Sequence, residues 1–115
     1  PPPVRWIVSV PEPSVVLPKV RGRGGRAGRL ALSVWARGLP SGVELSCIAS
    51  DGVDGSSGAA GAVVTGALAG DDLALAHEAL DRFDDASFLS RAGRSIPASP
   101  TGNNLLDLHV LLRPR

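Results

Sequence analysis

Two aspartates in a glycine-dense segment are the residues whose types and spacing point most directly to chemistry. Asp51 and Asp54 lie three residues apart within residues 50–61, and each is followed by a glycine. Gly52 and Gly55 can adopt positive φ angles without steric cost, so the segment can fold back and direct both carboxylates toward one space. Such a pair would bind a hard cation such as Mg²⁺ or orient a hydroxyl group. The spacing and the lack of a distal glutamate disfavour an EF-hand, whereas a plain turn remains an alternative.

The segment that follows these aspartates is predicted to begin a helix over residues 58–67. The first-turn N–H groups of such a helix would point back toward the aspartates and would attract an anion. One site would then combine carboxylates for a cation with amides for an anion. Enzymes that act on nucleotide phosphates or sugar acids need this combination.

A second segment, GRGGRA at residues 22–27, is suited to binding anions. Five cations without an intervening acid lie within this segment or beside it, namely Lys19, Arg21, Arg23, Arg26 and Arg29. The Arg26 guanidinium can bind a phosphate or carboxylate with two hydrogen bonds, and the Gly24 and Gly25 amides can add to that contact. The spacing also fits a dinucleotide fingerprint, but the acid expected downstream, Glu44, begins the next strand instead of ending it. RNA binding is disfavoured because no aromatic residues are interleaved, and a purely structural loop remains possible.

Composition limits the remaining classes of protein. The 115 residues suffice for one globular domain, and the formal charge of +1 combines a basic first half with an acidic second half. No apolar run approaches the roughly 20 residues that span a bilayer, so no membrane is expected as a partner. The lack of interleaved aromatic residues likewise means that no nucleic acid is expected. The single cysteine, Cys47, cannot form an internal disulfide, and no histidine has zinc-site spacing. A cytoplasmic protein is expected, with a mitochondrial one as the alternative, and the Pro-Pro-Pro start without methionine indicates a piece of a longer chain.

The elements that must position these residues follow from hydrophobic periodicity and turn residues. Strands are predicted over 4–10, 14–20, 44–50, 94–98 and 105–113, and helices over 26–38, 59–68, 71–80 and 84–92. The first two strands are expected to pair antiparallel at an edge, and the strand over 44–50 to be central. The predicted fold is a single-domain α/β structure, a mixed β-sheet with helices packed on its faces.

Three strings resemble motifs of the C-terminal, MOFRL-like domain of class II glycerate kinases, and they occur along this chain in the same order as in the family. SDGVDGSSGAAGAVV is similar to the family's (S/T)DGxDGPTxAAGAxV, GRGGRAGRLAL to its GKGGRNQELAL, and SPTGNNLLDLHVLL to its GPTGTNVMDLxxxL. Glu12 lies where the family has Gly-Gly-Glu, and Asp84 lies where it has Asn-Asp-Ser-x-x-Phe-Phe. The ending LHVLLRPR is especially similar to the animal D-glycerate kinases. The resemblance covers about residues 9–115.

The resemblance implies one wall of an interdomain cleft in which ATP, with Mg²⁺, phosphorylates the 2-hydroxyl of D-glycerate. The expected partners are D-glycerate, ATP and an N-terminal kinase domain, without which this chain would be inactive. Arg26 would contact substrate or phosphate oxygens, and Asp51 and Asp54 would hold magnesium or orient the hydroxyl. The expected substrate or phosphate contacts are Gly24, Gly25, Thr101, Gly102 and Asn103, with Glu12 and Asp84 in support.

Two departures from the family pattern leave a second interpretation open. Val10 and Pro11 replace the two glycines before Glu12, and the residues after Arg26 are Ala-Gly-Arg in place of Asn-Gln-Glu. The second change removes two hydrogen-bonding side chains and reverses a charge at Arg29. The alternative is a diverged, non-catalytic domain that binds small anions or has a regulatory role.

Overall fold

A five-stranded sheet organises the parts of the chain that the computed structural model describes, which are residues 4–10, 22–99 and 107–113. The elements follow in the order β1 (Val4–Val10), α1 (Arg26–Arg37), β2 (Glu44–Ala49), β3 (Ala59–Thr65), α2 (Gly70–Asp81), α3 (Asp85–Arg91), β4 (Ser95–Pro97) and β5 (Asp107–Arg113). The strand order in the sheet is β1-β5-β2-β3-β4. β2 is therefore central, as the sequence predicted.

The predicted α/β class, one sheet carrying helices, is confirmed. The four strands expected over 4–10, 44–50, 94–98 and 105–113 are present, and so are the helices expected over 26–38, 71–80 and 84–92. The strand expected over 14–20 lies outside the described residues. A mixed sheet was expected, but each strand pair that the structure describes is antiparallel.

The prediction of a helix over residues 59–68 is wrong, because residues 59–65 form strand β3. This strand pairs with β2 on one side and with β4 on the other, and it is buried on both faces for most of its length. Such a strand has no alternation of polar and apolar residues, so its pattern resembles that of a buried helix. Its small residues allow close contacts: a Cβ at Gly61 would overlap the Cys47 carbonyl oxygen. Residues 50–58 therefore connect two strands of a hairpin.

Helix α1 packs on β2 and β3 and buries the core. Its buried residues include Ala31, Leu32 and Trp35, which meet Leu45 and Cys47 of the sheet. Helices α2 and α3 pack against α1, and the Phe88 ring of α3 meets the Trp35 ring edge-on at 6.1 Å. Removal of these apolar groups from water fixes α1 over the sheet. No helix within the described ranges is long and apolar enough to cross a membrane.

Candidate functional site

The N-terminus of α1 is capped by an aspartate that is remote in the sequence. The N-cap residue, Gly25, has no side chain, so the N–H groups of the first helical turn need acceptors from another segment. Asp54 supplies them: Oδ1 accepts from the Ala27 N–H at 3.0 Å, and Oδ2 accepts from the Gly28 N–H at 2.7 Å. The Asp54 side chain is 3% exposed. Its carboxylate therefore stabilises the helix start from inside the protein.

The loop before α1, residues 22–25 and hereafter the glycine-arginine loop, is held by the start of α3. The Arg23 N–H donates to Asp84 Oδ1 at 2.9 Å, and the Gly25 N–H donates to Asp85 Oδ2 at 3.3 Å. In the opposite direction, the Ala86 N–H donates to the Arg23 carbonyl at 3.0 Å. Asp84, expected as a supporting residue, thus contacts this loop directly.

The aspartate loop, residues 50–58, holds the other side of the glycine-arginine loop. The Gly24 N–H donates to Ser56 Oγ at 3.2 Å, and the Ser56 N–H donates to the Gly24 carbonyl at 2.9 Å. The Gly24 and Gly25 amides, which were predicted to contact a phosphate, thus donate to acceptors within the chain.

The glycines at the start of α1 are required by the carboxylates packed against them. A Cβ at Gly24 would overlap the carboxylate of Asp85, and one at Gly25 would overlap that of Asp54. A Cβ at Gly28 would lie 2.6 Å from Asp85 Oδ2, which is too close for real Cβ contacts. The glycine density that suggested an anion-binding loop therefore accommodates the protein's own aspartates.

Asp51 and Asp54 have different environments. Asp51 is half-buried, and its Oδ1 accepts from the Val53 N–H at 3.0 Å, which forms a local turn. Asp54 is closed to solvent, so the structure does not place both carboxylates in one solvent-accessible space. Among the residues that the structure describes, no group of three or more His, Cys, Asp or Glu side chains could hold a metal ion.

Arg26 is the first residue of α1 and is partly buried beside these carboxylate contacts. It follows Gly25 and precedes Ala27, both of which donate to aspartates. The helix start thus fixes the backbone of Arg26 on both sides. The other expected site residues, Glu12, Thr101, Gly102 and Asn103, lie outside the described residues.

Asp85 is a buried acid that the sequence analysis did not identify. It is 2% exposed, and this burial raises its pKa from 3.8 to about 6. The hydrogen bonds from the Gly25 N–H and from its own backbone oppose the rise, the negative charge of Asp54 adds to it, and Arg29 lowers it. The sequence feature that could have identified Asp85 was the Asp-Asp pair at the start of a helix. This pair becomes part of the site because the glycine-arginine loop folds against it.

The turn that presents Asp84 and Asp85 has an unusual backbone. Phe83 has a φ angle of 52°, in the left-handed region that bulky residues rarely adopt. The Arg29 guanidinium lies 4.0 Å from the centre of the Phe83 ring and donates to the Leu80 carbonyl at 2.6 Å. Arg29, which reverses the family's charge at its position, therefore has a structural role in holding this turn.

Comparisons with known proteins agree with this architecture. The model of the MOFRL family matches residues 5–107. A glycerate kinase of Danio rerio is 37% identical over an alignment 115 residues long, and the match covers 90% of this chain and 22% of the relative. A D-glycerate 2-kinase of Thermotoga maritima is 36% identical over an alignment 102 residues long, and the match covers 84% of this chain and 24% of the relative.

Two solved structures have the same fold. The crystal structure of a glycerate kinase from Thermotoga maritima matches with a TM-score of 0.75 and 35% identity, over 89% of this chain and 25% of that one. A protein of Pyrococcus horikoshii matches with a TM-score of 0.74 over 90% of this chain and 24% of its own, and its 22% identity shows the fold alone. This chain spans about a quarter of the length of these relatives.

Proposed function

Since this chain belongs to the MOFRL family, we propose that it is the C-terminal domain of a D-glycerate 2-kinase. The reaction transfers the γ-phosphate of ATP to the 2-hydroxyl of D-glycerate, in a cleft to which this domain contributes one wall. The observation that carries the proposal is the identity of 37% and 36% to named glycerate kinases from a fish and a bacterium. The chain spans about a quarter of those relatives, so the N-terminal domain belongs to the proposal as the partner that completes the cleft.

Phosphoryl transfer depends mainly on positioning and on neutralisation of charge. Arg26 is suited to this because its guanidinium can bind a phosphate or the glycerate carboxylate with two hydrogen bonds. Asp54 is assigned to holding the start of α1, since both of its oxygens accept hydrogen bonds from that helix. The contact with the substrate hydroxyl or with magnesium is assigned to Asp51, which is less buried than Asp54.

Magnesium is proposed as the ion that accompanies ATP. The described residues form no cluster of three potential ligands, so they do not hold a magnesium ion by themselves. Kinases usually bind Mg²⁺ through one or two carboxylates together with phosphate oxygens and water. Among the described residues, the carboxylate of Asp51 is proposed as one such ligand. The metal would neutralise charge on the phosphates, and this chain's own contribution would be the carboxylate of Asp51 and the guanidinium of Arg26.

Polar contacts from Thr101, Gly102 and Asn103, and support from Glu12, remain predictions from the family resemblance. Asp84 is assigned a supporting role through its hydrogen bond with the Arg23 amide. A cytoplasmic location, with a mitochondrial one as the alternative, likewise remains a prediction.

The test is to express the complete reading frame that contains this chain and to measure ADP formation with Mg²⁺, ATP and D-glycerate. D-glycerate-dependent turnover, with phosphate on the 2-hydroxyl by ³¹P NMR, is expected, and L-glycerate serves as the control substrate. The 115-residue chain alone should be inactive. A folded complete protein without D-glycerate-dependent ADP formation would refute the proposal, and calorimetric binding of glycerate without turnover would favour the non-catalytic anion-binding alternative.

A further inference from the structure

We propose that Asp85 is a positioning residue for Arg26, and that it acts through the backbone of the glycine-arginine loop. The inference rests on the proposed function, because Arg26 is the group proposed to contact a substrate or phosphate anion. Asp85 itself is buried and is not proposed to contact substrate.

The hydrogen bonds place Asp85 next to the backbone of Arg26. Its Oδ2 accepts from the N–H of Gly25, the residue immediately before Arg26. The next residue of α3, Ala86, donates its N–H to the Arg23 carbonyl. The first turn of α3 therefore contacts the glycine-arginine loop at two points, both within three residues of Arg26.

The packing shows that this contact cannot shift independently of the loop. A side chain at Gly24 would overlap one oxygen of Asp85, and a side chain at Gly28 would come within 2.6 Å of the other. The carboxylate thus lies against Gly24 on one side of Arg26 and against Gly28 on the other. The group is also 2% exposed, so solvent does not separate it from the loop. Its position sets the backbone on both sides of Arg26.

Such a contact matters for phosphoryl transfer because displacement of a catalytic group by about 1 Å can cost about 100-fold in rate. Removal of the Asp85 carboxylate leaves the Gly25 N–H without its acceptor and leaves a void between the two glycines. The loop can then relax into that void and carry Arg26 with it. Asparagine at the same position keeps the shape and one acceptor oxygen, so it should hold the loop.

The kinetic test uses the complete protein with Asp85→Ala and Asp85→Asn. Asp85→Ala should lower kcat/KM for D-glycerate by about 10- to 100-fold, and Asp85→Asn should restore most of that loss. Two controls separate positioning from general effects. Asp81→Asn removes a carboxylate from an exposed position, and Val64→Ala destabilises the core from β3, and neither should change kcat/KM of the folded enzyme.

A second measurement, amide hydrogen exchange over residues 22–28, does not depend on activity. Asp85→Ala should lose protection there, whereas Val64→Ala should lose it mainly in the sheet. Unchanged exchange in Asp85→Ala, or an equal kinetic loss in Val64→Ala, would overturn the proposal. A wild-type protein without D-glycerate-dependent turnover would refute the kinase function instead, and the exchange data alone would then decide whether Asp85 positions the loop.

Discussion

Replacement of Asp85 by asparagine is expected to abolish a loss of stability that the wild-type protein undergoes as the pH rises. The folded-state pKa of Asp85, about 6, lies above its ordinary value of 3.8, because burial disfavours the charged form. The folded state therefore binds this proton more tightly than the unfolded state does. The resulting stabilisation is complete below pH 3.8 and is lost as the pH rises through about 6.

The size of the effect follows from the difference between the two pKa values. The rise from 3.8 to about 6 corresponds to roughly 3 kcal/mol at 1.36 kcal/mol per pKa unit. The 2% exposure of the side chain means that water screens this interaction little. With an m-value of about 1–3 kcal/mol per molar urea, the unfolding midpoint should fall by about 1–3 M.

The assay is urea unfolding followed by tryptophan fluorescence at several pH values, chosen to bracket the window from 3.8 to about 6 that the two pKa values define. Trp35 lies in the core and should report unfolding of the α1 region. Subtraction of the Asp85→Asn curve from the wild-type curve isolates this one carboxylate, because the other titrating groups are common to both proteins. The exposed-site variant Asp81→Asn should follow the wild type.

The reasoning would be wrong if wild type and Asp85→Asn lost stability in parallel across this window. Such a result would mean that water or a local rearrangement solvates the Asp85 carboxylate in the folded state. An opposite sign, with wild type gaining stability relative to Asp85→Asn as the pH rises, would instead mean that hydrogen bonds to the carboxylate outweigh its desolvation.

Three further substitutions test the contacts at the start of α1. Asp54→Ala should lower the free energy of unfolding by about 2–6 kcal/mol in urea, because two buried amides lose their acceptor. Gly25→Ala should cost at least about 1–3 kcal/mol by the same measurement, because the new methyl group overlaps Asp54. Arg26→Lys in the complete protein should lower kcat/KM about 10- to 150-fold, because ammonium lacks the planar two-bond geometry, whereas Arg37→Lys should change little. Equal kinetics for the two lysine variants would remove Arg26 from the proposed site.

Most of the secondary structure could be predicted because its signals are local. The helix from Arg26 has an apolar face of helical period and ends just before Gly38, whose φ of 92° suits glycine. Strand β2 is a short apolar run between turn residues, and its alternating burial follows the period of two. These features depend on neighbouring residues in the sequence, so the pattern alone identifies them.

Strand β3 could not be predicted, because its residue types are set by what covers it. The alanines favour a helix by intrinsic propensity, but here the alanines and Gly61 make room for α1 on one face and for close neighbours in the sheet. The error also changed the interpretation of the aspartate loop. The helix start near Asp54 belongs to α1, and the helix predicted to follow this aspartate does not exist.

Only part of the candidate site could be predicted, because its segments meet through contacts between residues that are distant in the sequence. Its segments, the glycine-arginine loop and the aspartate loop, were identified from residue types and family resemblance. Their contacts join residues about 60 positions apart in the case of Gly25 and Asp85, and sequence patterns carry no distance information of that range. An aspartate that caps a remote helix has the same local signature as one that binds a ligand.

The pairing of β1 with β5 has a consequence for how the domain forms during synthesis. Within the described sheet, β1 pairs with β5 alone, with Val4 opposite Arg113, so in this sheet the first strand is paired only once the last one exists. The central strand β2 also pairs with β5 along one of its edges, so that edge stays unpaired in this sheet until β5 has been synthesised. Contacts this distant in the chain carry a large loop-closure entropy and slow folding. On the ribosome, the helices and the β2–β3 hairpin can assemble early, but the sheet closes only after residue 113 has left the exit tunnel.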